Sequence, residues 1–252
     1  FFTSWQNDMQ SEAVGKYATD KGYKNVYIMA PNYQSGKDNV AGFKRYFKGG
    51  LSGEVYTTVN QPDYSAEIAQ MQSAKPDALF VFYPGGMGVN FVKQMRQAGL
   101  LGQIPLLSVS TTDGSTLPAL KETALGVISG TFWGPDFNNP ASKKFVADFE
   151  KKYSRIPSQY AAQAYDSALL IDSALKKTGG KAADKAALTN ALRAADFKSV
   201  RGNFRFNKNG FPIQDMHVFE VAKDSADRVS LKTVSTPLKN LSDPYVTDCP
   251  LK

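Results

Sequence analysis

One cysteine and one histidine in 252 residues leave little for several common catalytic and metal chemistries. Cys249 has no second thiol, so an internal disulfide framework and a thiolate metal cluster are both excluded. It reads as a free tail thiol or as half of a bridge to a segment not present. With no His pair and no Cys/His couple, HExxH zinc sites and Cys-His dyads cannot be built, and a Ser-His-Asp triad is not expected around His217. His217 lies on an alternating run, Met216–Val221, and is expected to be a packed or rim histidine. Long apolar runs are missing too: the longest, Ala78–Tyr83, is strand-sized, far short of the roughly 18 residues that cross a bilayer. The chain opens at Phe1-Phe2 with neither an initiator methionine nor a signal peptide, and so reads as a processed or truncated product.

What is present is 42% hydrophobic and 21% charged, enough apolar material for a sizeable core in one or two domains. Lys and Arg total 30 against 23 Asp and Glu, a net charge of +7, which raises the question of nucleic acid. The basic residues fall as pairs, Lys143-Lys144, Lys151-Lys152 and Lys176-Lys177, interleaved with Asp148, Glu150 and Asp172. That pattern is a solvated helix face, not a phosphate-tracking stripe, so no nucleic-acid partner is expected.

The first half repeats a strand-sized run followed by a helix-period segment. Four runs, Asn25–Ala30, Glu54–Val59, Ala78–Tyr83 and Leu106–Val109, begin 29, 24 and 28 residues apart. This is the spacing of a strand plus a crossover helix, and hence of parallel strands. Between them Val40, Phe43 and Phe47, then Tyr64, Ile68 and Met71, then Phe91, Val92 and Met95 recur at helical intervals, with Gly22 and Gly99 placed as C-caps. An outermost helix over Asp8–Lys21 has Met9, Val14, Tyr17 and Ala18 to face a sheet. Residues 6 to about 126 are therefore expected to form a doubly wound α/β domain. After an apolar run at Val127–Trp133 come three amphipathic helices, Ala141–Tyr153, Gln159–Thr178 and Asp184–Ala194. A hairpin follows, Asn203–Phe206 with Met216–Val221 turning through Asn207–Gly210, and then a strand at Val229–Val234.

In an open parallel sheet, ligands bind beyond the carboxyl ends of the strands. Those ends carry Tyr33-Gln34-Ser35, then Tyr83-Pro84-Gly85-Gly86, then Ser110-Thr111 with Asp113. Aromatic, hydroxyl and glycine residues suit a pocket that holds an anion on backbone N–H groups and hydroxyls while tyrosine rings cover an apolar body. Each residue also has a plainer reading: a tyrosine packing a core or rim, a turn glycine, a serine or threonine N-cap. Nucleotide motifs fail here. Pro31 stands where a phosphate loop needs its first glycine and Asp38 where it needs a hydroxyl for magnesium; Gly85-Gly86-Met87-Gly88 does not spell GxGxxG. No cofactor and no metal are expected.

Five stretches, DMQSEAVGKYATDKG, NVYIMAPNYQSGKDNVAGFKRYF, PDYSAEIAQMQSAKPDALFVFYPGGMGVNFVKQMRQAGL, SQYAAQAYDSALLIDSAL and VRGNFRFNKNGFPIQDMHVFEV, together resemble the periplasmic solute-binding proteins of ABC importers. The similarity is to the branched-chain amino acid (Leu/Ile/Val-type) group, with the periplasmic binding fold type I, and it runs over essentially the whole chain in family order. It implies a two-lobed extracytoplasmic protein, not an enzyme, that closes on a small ligand and delivers it to a membrane permease. Residues 6–130 and 198–252 would form a complete second lobe. Residues 135–197 would be the helical part of a first lobe whose N-terminal sheet is absent here, leaving helix faces that expect self-association.

The resemblance places ligand contacts at Tyr33, Gln34 and Ser35 and at Tyr83, Pro84, Gly85 and Gly86. It makes Tyr160 an aromatic cover for the ligand and puts Trp133 near a crossover. Amino-acid binders of this group pair the ligand ammonium with an acid after the next strand; the matching place here is Ser110, with Asp113 three residues on. A buried ammonium facing only a hydroxyl costs several kcal/mol, so the expected ligand is a carboxylate without an amine, an aromatic or phenylpropanoid acid. A branched-chain amino acid is the alternative. Further alternatives are a nucleotide-dependent α/β enzyme using Asp113 or Lys37, and a sensor domain of the same fold.

Overall fold

The computed structural model describes residues 1–248, so Cys249 lies outside the described residues. Its centre is one eight-stranded sheet in the order β2-β1-β3-β4-β5-β7-β6, with β8 paired to β7. The strands are β1 Asn25–Pro31, β2 Gly50–Thr57, β3 Ala78–Phe82, β4 Leu106–Val109, β5 Ile128–Thr131, β6 Arg205–Phe206, β7 Pro212–Lys223 and β8 Val229–Leu241. β1 to β5 pair in parallel; β7 turns antiparallel against β5, β6 and β8. The chain steps outward from β1 to β2 and then crosses back to β3 on the other side of β1, so the strand order reverses between β1 and β3.

The parallel strands are buried on both faces, which is why they read as nearly continuous apolar runs. Val26, Ile28, Ala30, Phe80, Phe82 and Leu107 face one core with α1 (Met9–Asp20) and α2 (Gln34–Tyr46). Their alternates Tyr27, Met29, Leu79, Val81 and Leu106 face a second core with α3 (Ser65–Ala74), α4 (Gly86–Gln97) and the short α5 (Leu117–Leu120). Every apolar helix position expected to face the sheet in α1 to α4 is buried. The doubly wound arrangement is as the spacing predicted, and Gly22 and Gly99 both take the left-handed backbone of a helix stop.

Several boundaries differ. β2 begins at Gly50 and ends at Thr57, not Glu54–Val59. As an edge strand half open to solvent it carries no apolar signature over Gly50–Gly53, and a bulge at Val26/Tyr27 sets its register. β8 extends past Val234 through Pro237, tolerated because β7 is its sole strand partner among the described residues. α5 and the 3-10 turn Lys121–Ala124 were not expected; with four residues each they are too short to show a period.

The sheet draws its strands from residues 25–131 and 205–241. Residues 140–193 contribute three helices and no strand: α6 Pro140–Tyr153, α7 Gln159–Lys177 and α8 Lys185–Arg193. Phe145 of α6 is buried against Trp133 and Tyr165, and Ala162 of α7 joins the α1/α2 core. The outward faces stay open, with Tyr153 51% and Ile171 53% exposed.

One buried guanidinium ties these parts together. Arg201 meets the Asp166 carboxylate of α7 at 3.1 Å and donates to Gln214 Oε1 of β7 at 2.8 Å and to the Thr3 carbonyl of the N-terminal segment. Its plane also lies 4.2 Å from the centre of the Phe132 ring. Asp166 in turn accepts from Ser199 Oγ at 2.6 Å and from the Val200 N–H at 2.9 Å.

Candidate functional site

The crevice at the strand reversal is flanked by the loops after β1 and β3, where the geometry of an open α/β sheet puts a ligand. Tyr33 caps α2 in an extended conformation (φ −151°, ψ 174°), and its half-buried ring stacks on Phe82 with centroids 6.3 Å apart. Burial raises its hydroxyl above the usual tyrosine range. Gln34 and Ser35 open α2, and both side chains already have partners. Gln34 donates to Asp38 Oδ1 at 2.7 Å, and Ser35 Oγ accepts from Asn7 Nδ2 at 3.3 Å.

Tyr83 sits differently from its neighbours in the same loop. Its ring is fully buried in the α3/α4 core, 4.9 Å from Tyr64 and 5.0 Å from Phe91. Its hydroxyl reaches Thr57 Oγ1 at the end of β2, 3.1 Å away, and its N–H donates to Thr111 Oγ1 at 2.9 Å. Tyr83 therefore shapes the crevice floor by joining the ends of β2, β3 and β4, and burial drives its hydroxyl pKa upward. After Pro84 the chain passes through Gly85 at φ 60°, ψ −129°, a conformation open to glycine. A Cβ at Gly85 or Gly86 would meet nothing within 4 Å, so this exposed backbone, with the unpaired N–H groups that start α4, faces open space. Gly88, on the other side of the turn, has no such freedom: a Cβ there would lie 2.3 Å from the Tyr83 carbonyl oxygen and 2.9 Å from that of Thr111.

The loop after β4 supplies the charged group. Ser110 adopts a left-handed backbone (φ 56°), and Thr111 and Thr112 are buried as hydrogen-bonding struts. Asp113 is buried with Oδ1 accepting from the Ser115 N–H at 2.7 Å, from Ser115 Oγ at 2.6 Å and from the Thr116 N–H at 3.3 Å. Its other oxygen accepts from the Tyr160 hydroxyl at 3.3 Å. Tyr160, in the first turn of α7, thus reaches from the helical block to the sheet's loops. Burial first, and then the Asp113 charge, hold its hydroxyl well above the usual range. Trp5 packs on Tyr160 at 5.9 Å and on Phe132 at 5.1 Å.

Trp133 is not brought to this group. Its ring is in the core beside Phe145, its indole N–H donates to Ser142 Oγ at 3.0 Å, and it lines a separate cavity beside Gly114. Nothing in the sequence singled out Trp5, Thr57 or Gly88. The partners of Thr57 and Trp5 lie 26 and 155 residues away, and the Thr111 carbonyl that crowds Gly88 lies 23 away, all out of reach of a local pattern.

The alternative chemistries find no support in the geometry. His217 is packed on Phe137 at 4.6 Å with Nδ1 against Thr236 Oγ1 at 2.9 Å, and burial lowers its pKa to about 4. Asp38 accepts amide hydrogen bonds from Gln34 and Asn7. Among the described residues no group of acidic, histidine or cysteine side chains is arranged to hold a metal ion, and no helix is long and apolar enough to cross a membrane.

Residues 1–226 match the family model described as "Periplasmic binding protein". The chain is 30% identical over 233 residues to the "Leu/Ile/Val-binding protein homolog 6" of Brucella melitensis; the match takes in 88% of this chain and 58% of the relative, so the chain spans well under two thirds of it. Among solved structures, a solute-binding protein of an ABC transporter from R. palustris in complex with benzoate superposes with a TM-score of 0.87 at 27% identity, over 97% of this chain and 67% of that one. A second, from Rhodopseudomonas palustris BisB5 in complex with 3,4-dihydroxybenzoic acid, gives 0.82 at 29% identity over 96% and 68%. A leucine-binding protein of Thermotoga maritima shares the fold at a TM-score of 0.76 and 21% identity, over 92% of this chain and 66% of that one. The chain belongs to the periplasmic binding protein family, in its type I fold, a family of extracytoplasmic solute binders and not of enzymes.

Proposed function

We propose that this chain is the ligand-gripping part of an ABC importer's solute-binding protein and that its ligand is a small aromatic or phenylpropanoid carboxylate. The observation that carries the reading is Asp113. One carboxylate oxygen is saturated by Ser115 and Thr116 and the other takes the Tyr160 hydroxyl, while Ser110 stands where an acid would face the crevice. A ligand ammonium entering here finds Asp113 already engaged by four hydrogen bonds, which weakens the compensation for its desolvation. A carboxylate instead meets the exposed N–H groups of Gly85 and Gly86, with the rings of Tyr33 and Tyr160 to cover an aromatic body. The benzoate and dihydroxybenzoate complexes of the structural relatives support the same class.

Transport follows from closure. A ligand touching both the helical block at Tyr160 and the strand-end loops favours the state in which the two approach, and a permease reads that state. A branched-chain amino acid is the second reading. It is favoured by the name of the Brucella relative and by the long 3.3 Å bond at Asp113 Oδ2, which an ammonium can displace.

A thermal-shift series tests the two readings. A ligand at 100-fold its Kd adds about 2.7 kcal/mol, which raises Tm by roughly 5–10 °C for a chain of this size. Stabilisation by benzoate or hydroxycinnamate, with none by leucine, is expected. Stabilisation by leucine alone refutes the assignment.

A further inference from the structure

The loop that carries Asp113 has a second side. Gly114 abuts Ser158, with a Cβ at Gly114 falling 2.6 Å from Ser158 Cα, so the strand-end loop and the α6–α7 connection touch backbone to backbone. Next to this seam Asp113 meets Tyr160, and Gly114, Ser158 and Gln159 line a cavity of about 300 Å³. Its walls are apolar: Leu117, Trp133, Ile156, Val229 and Leu231. Trp133 donates its indole N–H to Ser142, so it lines the cavity with its polar atom already satisfied.

The lining also carries charge. Arg228 is neutralised by Asp224 at 2.8 Å and Glu150 at 3.2 Å, and Asp227 by Lys223 at 2.9 Å. Lys121 and Arg155 have no ion-pair partner within 4.0 Å among the described residues, so they offer two unpaired cations at a rim whose total charge, with Glu122 and both carboxylates on Arg228 counted, is balanced. Lys121 is held at φ 48°, ψ −137°, a backbone state that an L residue keeps where its surroundings impose it. An apolar chamber with an aromatic wall and unpaired cations at the rim complements an amphipathic anion. The volume lies at the small end of ligand pockets, which limits the occupant to about one ring.

We propose that this cavity is a second ligand site, for a single-ring carboxylate, and that its occupancy acts on the crevice through the Gly114–Ser158 seam. Asp113, which meets Tyr160, is the sequence neighbour of Gly114, and Tyr160 is the sequence neighbour of Gln159; Gly114 and Gln159 both line the cavity. A ligand that spreads or tightens it moves the Asp113–Tyr160 contact. The coupling rests on the crevice reading given above; the cavity site does not.

The two tryptophans separate the sites, because Trp133 lines the cavity and Trp5 packs on Tyr160. With the chain labelled with 5-fluorotryptophan, benzoate as the probe is expected to move the Trp133 fluorine resonance saturably, in wild type and in Tyr33→Ala, where the crevice is disabled. Val229→Phe, which fills the cavity, is expected to abolish that shift. The surface variant Arg155→Gln keeps the fold and is expected to weaken the Trp133 titration roughly fivefold, an effect that salt diminishes. No Trp133 shift, a shift lost in Tyr33→Ala, or a shift unaltered by both Val229→Phe and Arg155→Gln overturns the cavity site. In Tyr33→Ala, a Trp5 resonance that moves together with Trp133 supports the coupling, and one that stays fixed overturns it. Failure of the crevice reading alone leaves the Trp133 titration intact.

Discussion

Glu12 and His217 titrate across the same pH range with opposite effects on stability, and single substitutions should expose what the native protein conceals. Glu12 is 1% exposed, and burial lifts its pKa from 4.5 to about 7; the Arg45 hydrogen bond works against the shift and Asp8 with it. His217 goes the other way, with burial lowering it from 6.5 to about 4 against the pull of Asp215 and Asp136. A carboxyl raised in the fold holds its proton longer than in the unfolded chain, so its contribution is complete below pH 4.5 and is lost as pH rises through 7. A histidine lowered in the fold contributes fully above 6.5 and loses that contribution as pH falls toward 4. Each shift corresponds to about 3 kcal/mol at 1.36 kcal/mol per unit. The two slopes cancel between 4.5 and 6.5, where both groups are in transit.

The assay is urea unfolding at constant m over that window, read as the difference between each variant and wild type so that the other carboxylates drop out. Glu12→Gln leaves the histidine slope, so its stability relative to wild type should rise by about 2 kcal/mol from the acid to the neutral end. His217→Gln leaves the glutamate slope and should fall by a similar amount. The double variant should run parallel to wild type. If both single variants parallel wild type, neither group is shifted as its burial implies, and the reasoning fails.

Asp166→Ala removes the acceptor for Ser199, Val200 and Arg201 and strands a buried guanidinium; a loss of about 3–5 kcal/mol is expected in the same unfolding assay, and one below about 1 kcal/mol refutes the hub. Gly88→Ala places a methyl against two carbonyl oxygens and should cost about 1–3 kcal/mol, whereas Gly86→Ala, with open space around it, should gain up to about 1 kcal/mol of helix propensity. The same Gly86→Ala chain should respond less to benzoate in the thermal-shift assay; an undiminished response means ligand does not approach that backbone. The open faces of α6 and α7 should drive self-association in sedimentation, reduced by Tyr153→Ser with Ile171→Ser; a wild-type chain that is monomeric throughout removes that expectation.

The sheet was legible because its strands are buried on both faces. Asn25–Ala30, Ala78–Tyr83 and Leu106–Val109 are apolar but for Asn25 at an exposed start and the hydrogen-bonded Ser108, and the helices between them had to present Phe43, Met71 or Phe91 at helical spacing. Legibility failed where one face is wet. β2 at the edge and β8 beyond Val234 satisfy their backbone on one neighbour and need no apolar signature, so the sequence understated both.

The site followed the same logic one level up. A loop after a parallel strand is at the crevice by topology, so Tyr33, Gly85, Ser110 and Asp113 could be placed without knowing their partners. What a side chain does once there depends on residues far away in the chain. Tyr83 looked like a ligand-facing ring and is a core ring, because Tyr64 and Phe91 close around it. Asp113 looked like a displaced ammonium partner and is held by Ser115, Thr116 and Tyr160. Trp133 looked like a crossover residue near the ligand and is a core ring beside Phe145 that lines a separate cavity. Topology therefore fixes which residues reach the crevice, and long-range packing decides which of them keep a free face. At Asp113 that second decision bears on the ligand class proposed above: Oδ1 already takes three donors, so Oδ2, shared with the Tyr160 hydroxyl, is what remains to meet an ammonium.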